Sequence, residues 1–428
     1  MPTTLETLRT LAARANPDEI SQVLEGAFRS RWGLEVLLSD GETGRIASGH
    51  GHTLREIAQQ PFVWADTALR AVEAVKAEFL PRRAAGAFRS IAMVGSGSSH
   101  YVGELAAPAL QARLGVPVVA VPAGNLLTHG KEALPLPEPV LLVSIARSGN
   151  SPESVAAIRI AAREAPETQF LHITCNPEGR LARPAAGDPR AAVLALHPST
   201  NDESLVMTSS FTSLALAALA LGYADEPERY LSQAERLATH LAASFADMFA
   251  LAEALPYAEC RRAVYLGSGC QYGAAREAAL KLTEMTAGRV VAMAETHLGL
   301  RHGPMAALDH ETLIVSFTPP ARRPARYAAD LVGELRLKEL GCATILADPG
   351  ETPRYIGEEI GADAAPDSKI DEGFAAIGNV AFGQMTGFFA CIGNGLRPDA
   401  PSAAGVIRRV VPPFPVYDDA VPARADND

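Results

Sequence analysis

Ser90-Ile-Ala-Met-Val-Gly-Ser-Gly97 and Arg262-Ala-Val-Tyr-Leu-Gly-Ser-Gly269 are two versions of one segment. Each is a short apolar run closed by Gly-Ser-Gly, and Gly95 and Gly267 stand 172 residues apart, as do Gly97 and Gly269. The same offset carries Val118-Val-Ala-Val121 onto Val290-Val-Ala-Met293, Leu141-Leu-Val-Ser144 onto Leu313-Ile-Val-Ser316, and Asn176-Pro177 onto Asp348-Pro349. An offset kept over several segments marks an internal duplication. Short β-branched runs bounded by turn residues are the pattern of strands buried on both faces. Between them, Ala106 to Leu114, Ser154 to Glu164 and Gly273 to Met285 are Ala- and Leu-rich with charges at helical spacing. Strands that alternate with helices predict parallel sheets. The expected fold class is therefore α/β: two tandem doubly wound parallel sheets, each flanked by helices in three αβα layers.

Outward from this repeat, the first 89 residues show helical periodicity and no buried-strand run. Residues 1–75 are expected to form a helical extension wrapped on the first half, 76–235 the first unit and 240–397 the second. Residues 398–428 carry Pro398, Pro401, Pro412, Pro413 and Pro415 and predict an extended surface tail, loose from Ala423 to Asp428.

Composition narrows the function classes. With 428 residues, 48% apolar and 20% charged, the chain is globular and long enough for two cores. A formal net charge of −11 argues against nucleic-acid binding, which needs a basic footprint. The five cysteines (Cys175, Cys260, Cys270, Cys342, Cys391) form no C-x-x-C pair and read as reduced, buried thiols of a cytoplasmic protein. Met1 to Asp18 has no apolar core of a signal peptide, and no stretch reads as a membrane span, so no membrane partner is expected.

In an open parallel sheet, ligands sit beyond the carboxyl ends of the strands, where loops enter helix N-termini. Gly95-Ser-Gly-Ser-Ser99 and Arg147-Ser-Gly-Asn-Ser151 are two such loops, and Ser151-Pro152 has the form of an N-cap followed by a first-turn proline. Either loop alone could simply cap its helix; together, on adjacent strands, Ser98, Ser99, Ser148 and Ser151 favour a phosphate cradle, with Arg147 beside it. The second half has Pro319-Pro-Ala321 where the first has Arg147-Ser-Gly149, so only the first half is expected to hold phosphate. Asn201 to Thr212 is a third hydroxyl cluster, with Thr208 and Ser209 opening an apolar helix that needs caps in any case.

Glu277 and Glu284 lie seven residues apart on one helix face. Glu284 is either a solvated carboxylate or, if Leu282, Met285 and Val290 desolvate it and raise its pKa, a base near neutral pH. Arg301-His-Gly-Pro304 is a rigid turn whose His302 is either a hydrogen-bonded turn residue or a proton-transfer group. His50, His52, His297, His302 and His310 form no metal-binding spacing, and Gly95-x-Gly97 lacks the third glycine of a dinucleotide fingerprint. Neither metal nor nicotinamide is expected.

The duplicated unit resembles the sugar isomerase (SIS) domain, and the pair resembles the isomerase half of glucosamine-6-phosphate synthase. Four segments in order are similar to the galactosamine-6-phosphate deaminase/isomerase family, often labelled tagatose-6-phosphate ketose/aldose isomerases. They are Glu56-Ile-Ala-Gln-Gln-Pro-Phe-Val-Trp64, Ala146 to Ser154, Asn201 to Thr212 and Arg301-His-Gly-Pro304. The resemblance implies that Ser98, Ser99, Ser148 and Ser151 bind the phosphate and that Thr208 lines the same pocket; Arg147, Ser209 and Arg301 are further expected substrate-binding residues. It also implies that Glu284 moves a proton between C2 and C1, and that His302 assists ring opening from a neighbouring subunit of a homodimer or larger assembly. No cofactor is implied. The chain departs from the synthase in having Val406 where a lysine follows the Asp399-Ala-Pro401 motif, with Arg408 and Arg409 nearby. His297-Leu-Gly299 also stands where relatives have Pro-Thr-Gly. Alternatives are isomerisation without deamination, a glucosamine-6-phosphate substrate, or a non-catalytic phosphosugar sensor. With no cysteine before Cys175, glutamine-dependent amidotransfer is disfavoured.

Overall fold

The repeated apolar runs are the central strands of two five-stranded sheets. The computed structural model describes residues 2–28, 37, 40–183, 187–348, 353–355 and 369–417. The first sheet comprises β1 (Ser90–Gly95), β2 (Val118–Pro122), β3 (Val140–Ala146), β4 (Gln169–Thr174) and β5 (Ala191–Ala195), in the order β2-β1-β3-β4-β5 and parallel throughout. The second comprises β6 (Arg262–Leu266), β7 (Val291–Glu295), β8 (Thr312–Phe317), β9 (Ala343–Ala347) and β10 (Arg354–Tyr355), in the order β7-β6-β8-β9-β10. Its strands β6 to β9 are parallel, as expected, and the two-residue β10 adds an antiparallel edge to β9.

The register corrects the single offset. Ile91 pairs with Val118 and Leu141, while its counterpart Ala263 pairs with Ala292 and Leu313. The central strands therefore keep the 172-residue spacing, but Val118 corresponds to Ala292 and not to Val290. Likewise Gln169 corresponds to Ala343, so Thr174 and not Asn176 matches Asp348; Pro349 lies outside the described residues. A slip of two residues leaves every side chain on its original face, which is why apolar pattern alone does not reveal it. The strands β1, β3 and β8 are buried along their whole length, whereas the edge strands are not: Val119 is 43% and Val291 67% exposed.

The Gly-Ser-Gly closure has a steric cause. A side chain at Gly95 would place its Cβ 2.5 Å from the backbone of Ser99, and Gly97 takes φ 56° and ψ −128°, a conformation that disfavours any residue with a Cβ. Gly269 repeats it at φ 62° and ψ −132°. Each loop thus turns tightly from strand into helix: Ser98–Leu114 in the first half and Cys270–Met285 in the second. These two equivalent helices pack against each other and join the halves.

Cys270–Met285 also packs along Glu372–Gly393, a 22-residue helix long and apolar enough to cross a membrane. The sequence reading passed over this stretch. Most of the helix is buried inside the protein, with Phe374, Phe382 and Phe388 fully enclosed and Phe389 stacked edge-on to Phe249 at 4.6 Å. It is a core helix. The N-terminal helices, among them Gly51–Ala58 and Gln60–Ala74, pack on Ser209–Ala220, Pro227–Glu253 and Glu372–Gly393, so they touch elements of both halves. Residues 402–417 form a largely exposed tail that turns at Gly405, and Ala423 to Asp428 lie outside the described residues.

Candidate active site

In the order β2-β1-β3-β4, the chain leaves β1 and β3 in opposite directions, which opens a crevice at their carboxyl ends. A cleft of about 200 Å³ lies there. Ser96–Ser99 from the β1 loop and Arg147–Gly149 and Ser151 from the β3 loop line one side. Ser98, Ser99 and Ser148 are each less than a tenth exposed, yet face it. Gly97 and Ser151 hold the N-cap positions of the two helices, and neither helix has a side-chain capping bond. The serine hydroxyls and the positive dipole ends of the two helices are therefore available to an anion, while the N–H groups of Ser99 and His100 already bond the carbonyls of Ser96 at 3.2 Å and Gly97 at 2.9 Å.

The opposite side comes from the second half. Lys281 and Glu284 line the same cleft. Lys281 Nζ donates to Glu284 Oε2 at 2.5 Å and to Ser98 Oγ at 3.1 Å, and it lies 3.3 Å from Glu277 Oε1. Burial opposes the charge on Lys281, but the two carboxylates outweigh burial and raise its pKa, so the ammonium persists. Burial pushes Glu277 up to about 7 despite the neighbouring Lys281. The apolar surroundings expected of Glu284 are not what it meets. Leu282, Met285 and Val290 are turned into the core, while the Glu284 side chain is 24% exposed and salt-bridged to Lys281. Sequence reading missed Lys281, although the spacing Glu277, Lys281, Glu284 puts all three on one helix face.

The equivalent cradle of the second half is filled from within. Glu372 Oε1 accepts the N–H of Cys270 at 2.9 Å, at the start of the Cys270–Met285 helix and against Gly269. Burial raises the Glu372 pKa, and the N–H groups of Cys270 and Gln271 work against that rise. A carboxylate thus occupies the place that the first half leaves open for an anion. The loop of Pro319 to Ala321 alone did not reveal this. Nearby, His297 is buried between Ser268 (3.1 Å) and Ser316 (2.9 Å), and burial lowers its pKa to about 4.

Several expected ligands serve as scaffold. Arg147 donates to the carbonyls of Ser204, Leu205 and Val206 at 3.1–3.2 Å and of Arg409 at 2.7 Å. It thereby holds the cleft-lining segments Leu205–Met207 and Ile407–Arg409 in place. Thr208 and Ser209 are fully buried and do not line the cleft. Asp202 accepts the Thr208 N–H at 2.7 Å, the Ser209 hydroxyl at 2.5 Å and the Ser210 hydroxyl at 2.5 Å. Glu56 accepts from the backbone of Ser204 at 3.1 Å and from its hydroxyl; burial, aided by the charge of Asp202, pushes Glu56 up to about 8. Gln59 donates to Ser209 at 2.7 Å and Trp64 to Thr212 at 2.9 Å. The Glu56–Trp64 and Asn201–Thr212 segments are one buried network beneath the cleft.

Arg301 and His302 are not brought to the cleft of their own chain. Arg301 pairs with Glu334 at 2.6 Å, and His302 is exposed. Among the described residues, no group of three or more His, Cys, Asp or Glu side chains is placed to hold a metal ion.

The SIS domain family model matches residues 88–223 and 257–347, which carry β1 to β5 and β6 to β9. The chain belongs to the SIS domain family. Among similar SIS proteins, a candidate D-galactosamine-6-phosphate deaminase AgaS of Streptomyces coelicolor is 40% identical over 84% of this chain and 94% of its own length. The D-galactosamine-6-phosphate deaminase AgaS of Escherichia coli is 34% identical over 84% of this chain and 94% of its own. The crystal structure of tagatose-6-phosphate ketose/aldose isomerase from Escherichia coli superposes with a TM-score of 0.73 at 32% identity, covering 85% of this chain and 97% of that one.

Proposed function

We propose that this SIS protein is an amino-sugar phosphate deaminase/isomerase that converts galactosamine-6-phosphate to tagatose-6-phosphate and ammonia without a cofactor. One observation carries the reading: Lys281 and Glu284 face the Ser98, Ser99, Ser148 and Ser151 cradle across a single cleft. The names of the relatives supply the substrate.

In this reading the phosphate sits on the helix N-termini and hydroxyls, where it orients the open-chain sugar. Glu284 takes the proton from C2 and returns it to C1. The electron pair released at C2 forms the C1–C2 double bond as the C1 carbonyl pair moves onto O1, which takes a proton to give an enolamine; protonation at C1, with the nitrogen lone pair forming C2=N and one N–H proton lost, leaves a ketimine at C2. Water adds to that carbon, and ammonia departs. Lys281 holds the Glu284 carboxylate toward the substrate. A second copy of the chain supplies Arg301 and His302 for ring opening, which makes the active form a homo-oligomer.

Isomerisation without nitrogen loss is the second reading, favoured by the name of the superposed Escherichia coli isomerase. Incubation with galactosamine-6-phosphate, glucosamine-6-phosphate and tagatose-6-phosphate, with products followed by NMR, separates them. Ketose phosphate with stoichiometric ammonia from the first substrate supports the deaminase; interconversion of nitrogen-free sugars alone replaces it.

A further inference from the structure

A phosphate ester carries between one and a half and about two negative charges near neutral pH, and the cleft's own charges do not match it. The cradle offers neutral hydroxyls and two helix N-termini, each equivalent to roughly half a charge. On the same wall stands Glu153, whose Oε2 is buried without a hydrogen-bond partner. The charge of Lys281 is met by Glu277 and Glu284. The guanidinium of Arg147 is turned to backbone carbonyls, and its charge faces Asp202. Arg409 is likewise engaged, with the carbonyls of Asp202 at 2.7 Å and Asn201 at 3.2 Å.

One cation remains. Arg408 lines the cleft, is exposed and, among the described residues, has neither a hydrogen bond nor an ion pair. Its backbone is nonetheless held on both sides. Upstream, Asp399 accepts the N–H groups of His52 at 3.2 Å and Thr53 at 2.7 Å and the Thr53 hydroxyl at 2.8 Å. Downstream, Arg147 binds the carbonyl of Arg409 at 2.7 Å. Between these anchors the chain turns at Gly405, φ 66°, and carries Ile407 and Arg408 along the cleft. A planar guanidinium on an anchored strap suits bidentate pairing with phosphate oxygens.

We propose that Arg408 is the counter-cation for the phosphate group of the bound substrate. The proposal rests on the phosphosugar reading and adds a ligand from the C-terminal strap to a cradle built by the first sheet.

Calorimetric titration with inorganic phosphate tests it on the intact protein, using wild type, Arg408→Ala and Arg408→Lys, with KM and kcat for galactosamine-6-phosphate measured alongside. A lost charged hydrogen bond weakens binding by about tenfold or more. That fall in phosphate affinity is expected for Arg408→Ala, with partial recovery in Arg408→Lys and a rise in KM that exceeds any fall in kcat. Unchanged phosphate affinity in Arg408→Ala, with an unchanged melting temperature, overturns the assignment whether or not the wild type turns over. Phosphate binding that depends on Arg408 in a wild type that releases no ammonia keeps the assignment and removes the deaminase reading instead.

Discussion

Lys281 Nζ lies 2.5 Å from Glu284 Oε2, one turn along the helix from Glu277, so a single buried cation holds two carboxylates at the junction of the two halves. Removing it strands both. Lys281→Met is expected to destabilise the fold by about 3–5 kcal/mol, the usual range for breaking one side of a buried ion pair, and to abolish turnover. The double variant Lys281→Met/Glu277→Gln should lose less than the sum of the single variants. Denaturant melts of the four proteins test this; additive losses would mean that Glu277 and Lys281 are not coupled.

The serine cradle predicts a different signature. Ser148→Ala and Ser151→Ala each remove one donor to a charged ligand, worth roughly 1.5–3 kcal/mol. Each should therefore raise KM by about tenfold or more and leave the melting temperature close to wild type. Steady-state kinetics with a thermal melt provide the check, and an unchanged KM in both variants would place the phosphate elsewhere.

Acid should destabilise the fold through two buried histidines, one in each sheet region. Burial lowers His172 and His297 from 6.5 to about 4. A depressed histidine binds fewer protons folded than unfolded between those values, so its contribution is complete above pH 6.5 and declines as pH falls to 4. Each shift corresponds to about 3 kcal/mol. Stability measured by urea titration from pH 7.5 to 4 should fall in this window, with a shallower slope in His297→Asn. Equal slopes would contradict the buried neutral His297.

Glu372 predicts a latent second anion site. Glu372→Ala deletes the carboxylate at the N-terminus of Cys270–Met285 and should cost about 1–2 kcal/mol, as loss of a helix cap does. Added sulfate should recover more melting temperature in this variant than in wild type. An equal response to sulfate in both proteins would count against the occupied cradle.

The sequence reveals the duplication because Gly95, Gly97, Gly267 and Gly269 are required by backbone geometry, and β1, β3 and β8 are buried enough to be continuously apolar. The pairs β2/β7 and β4/β9 were misaligned by two residues because such a slip keeps the alternation of faces. Within the site, Ser98, Ser99, Ser148 and Ser151 were legible since loop and helix start are local in sequence. Thr208 and Ser209 use the same residue types for a buried network with Asp202, and composition cannot tell a donor to substrate from a donor to the core. Glu372 reaches Cys270 across 102 residues, a pairing that only the fold creates. Lys281 was visible between two noted glutamates, but a lysine on an amphipathic helix ordinarily points to water.

Ammonia release from galactosamine-6-phosphate by wild type and Glu284→Gln, with binding of inorganic phosphate measured on both, decides whether Glu284 is the base of a deaminase. Ammonia and ketose phosphate are expected from wild type, none from Glu284→Gln, and phosphate binding by both. Continued ammonia release by Glu284→Gln would contradict the assignment of Glu284 as the base, and no ammonia from wild type would contradict the deaminase itself.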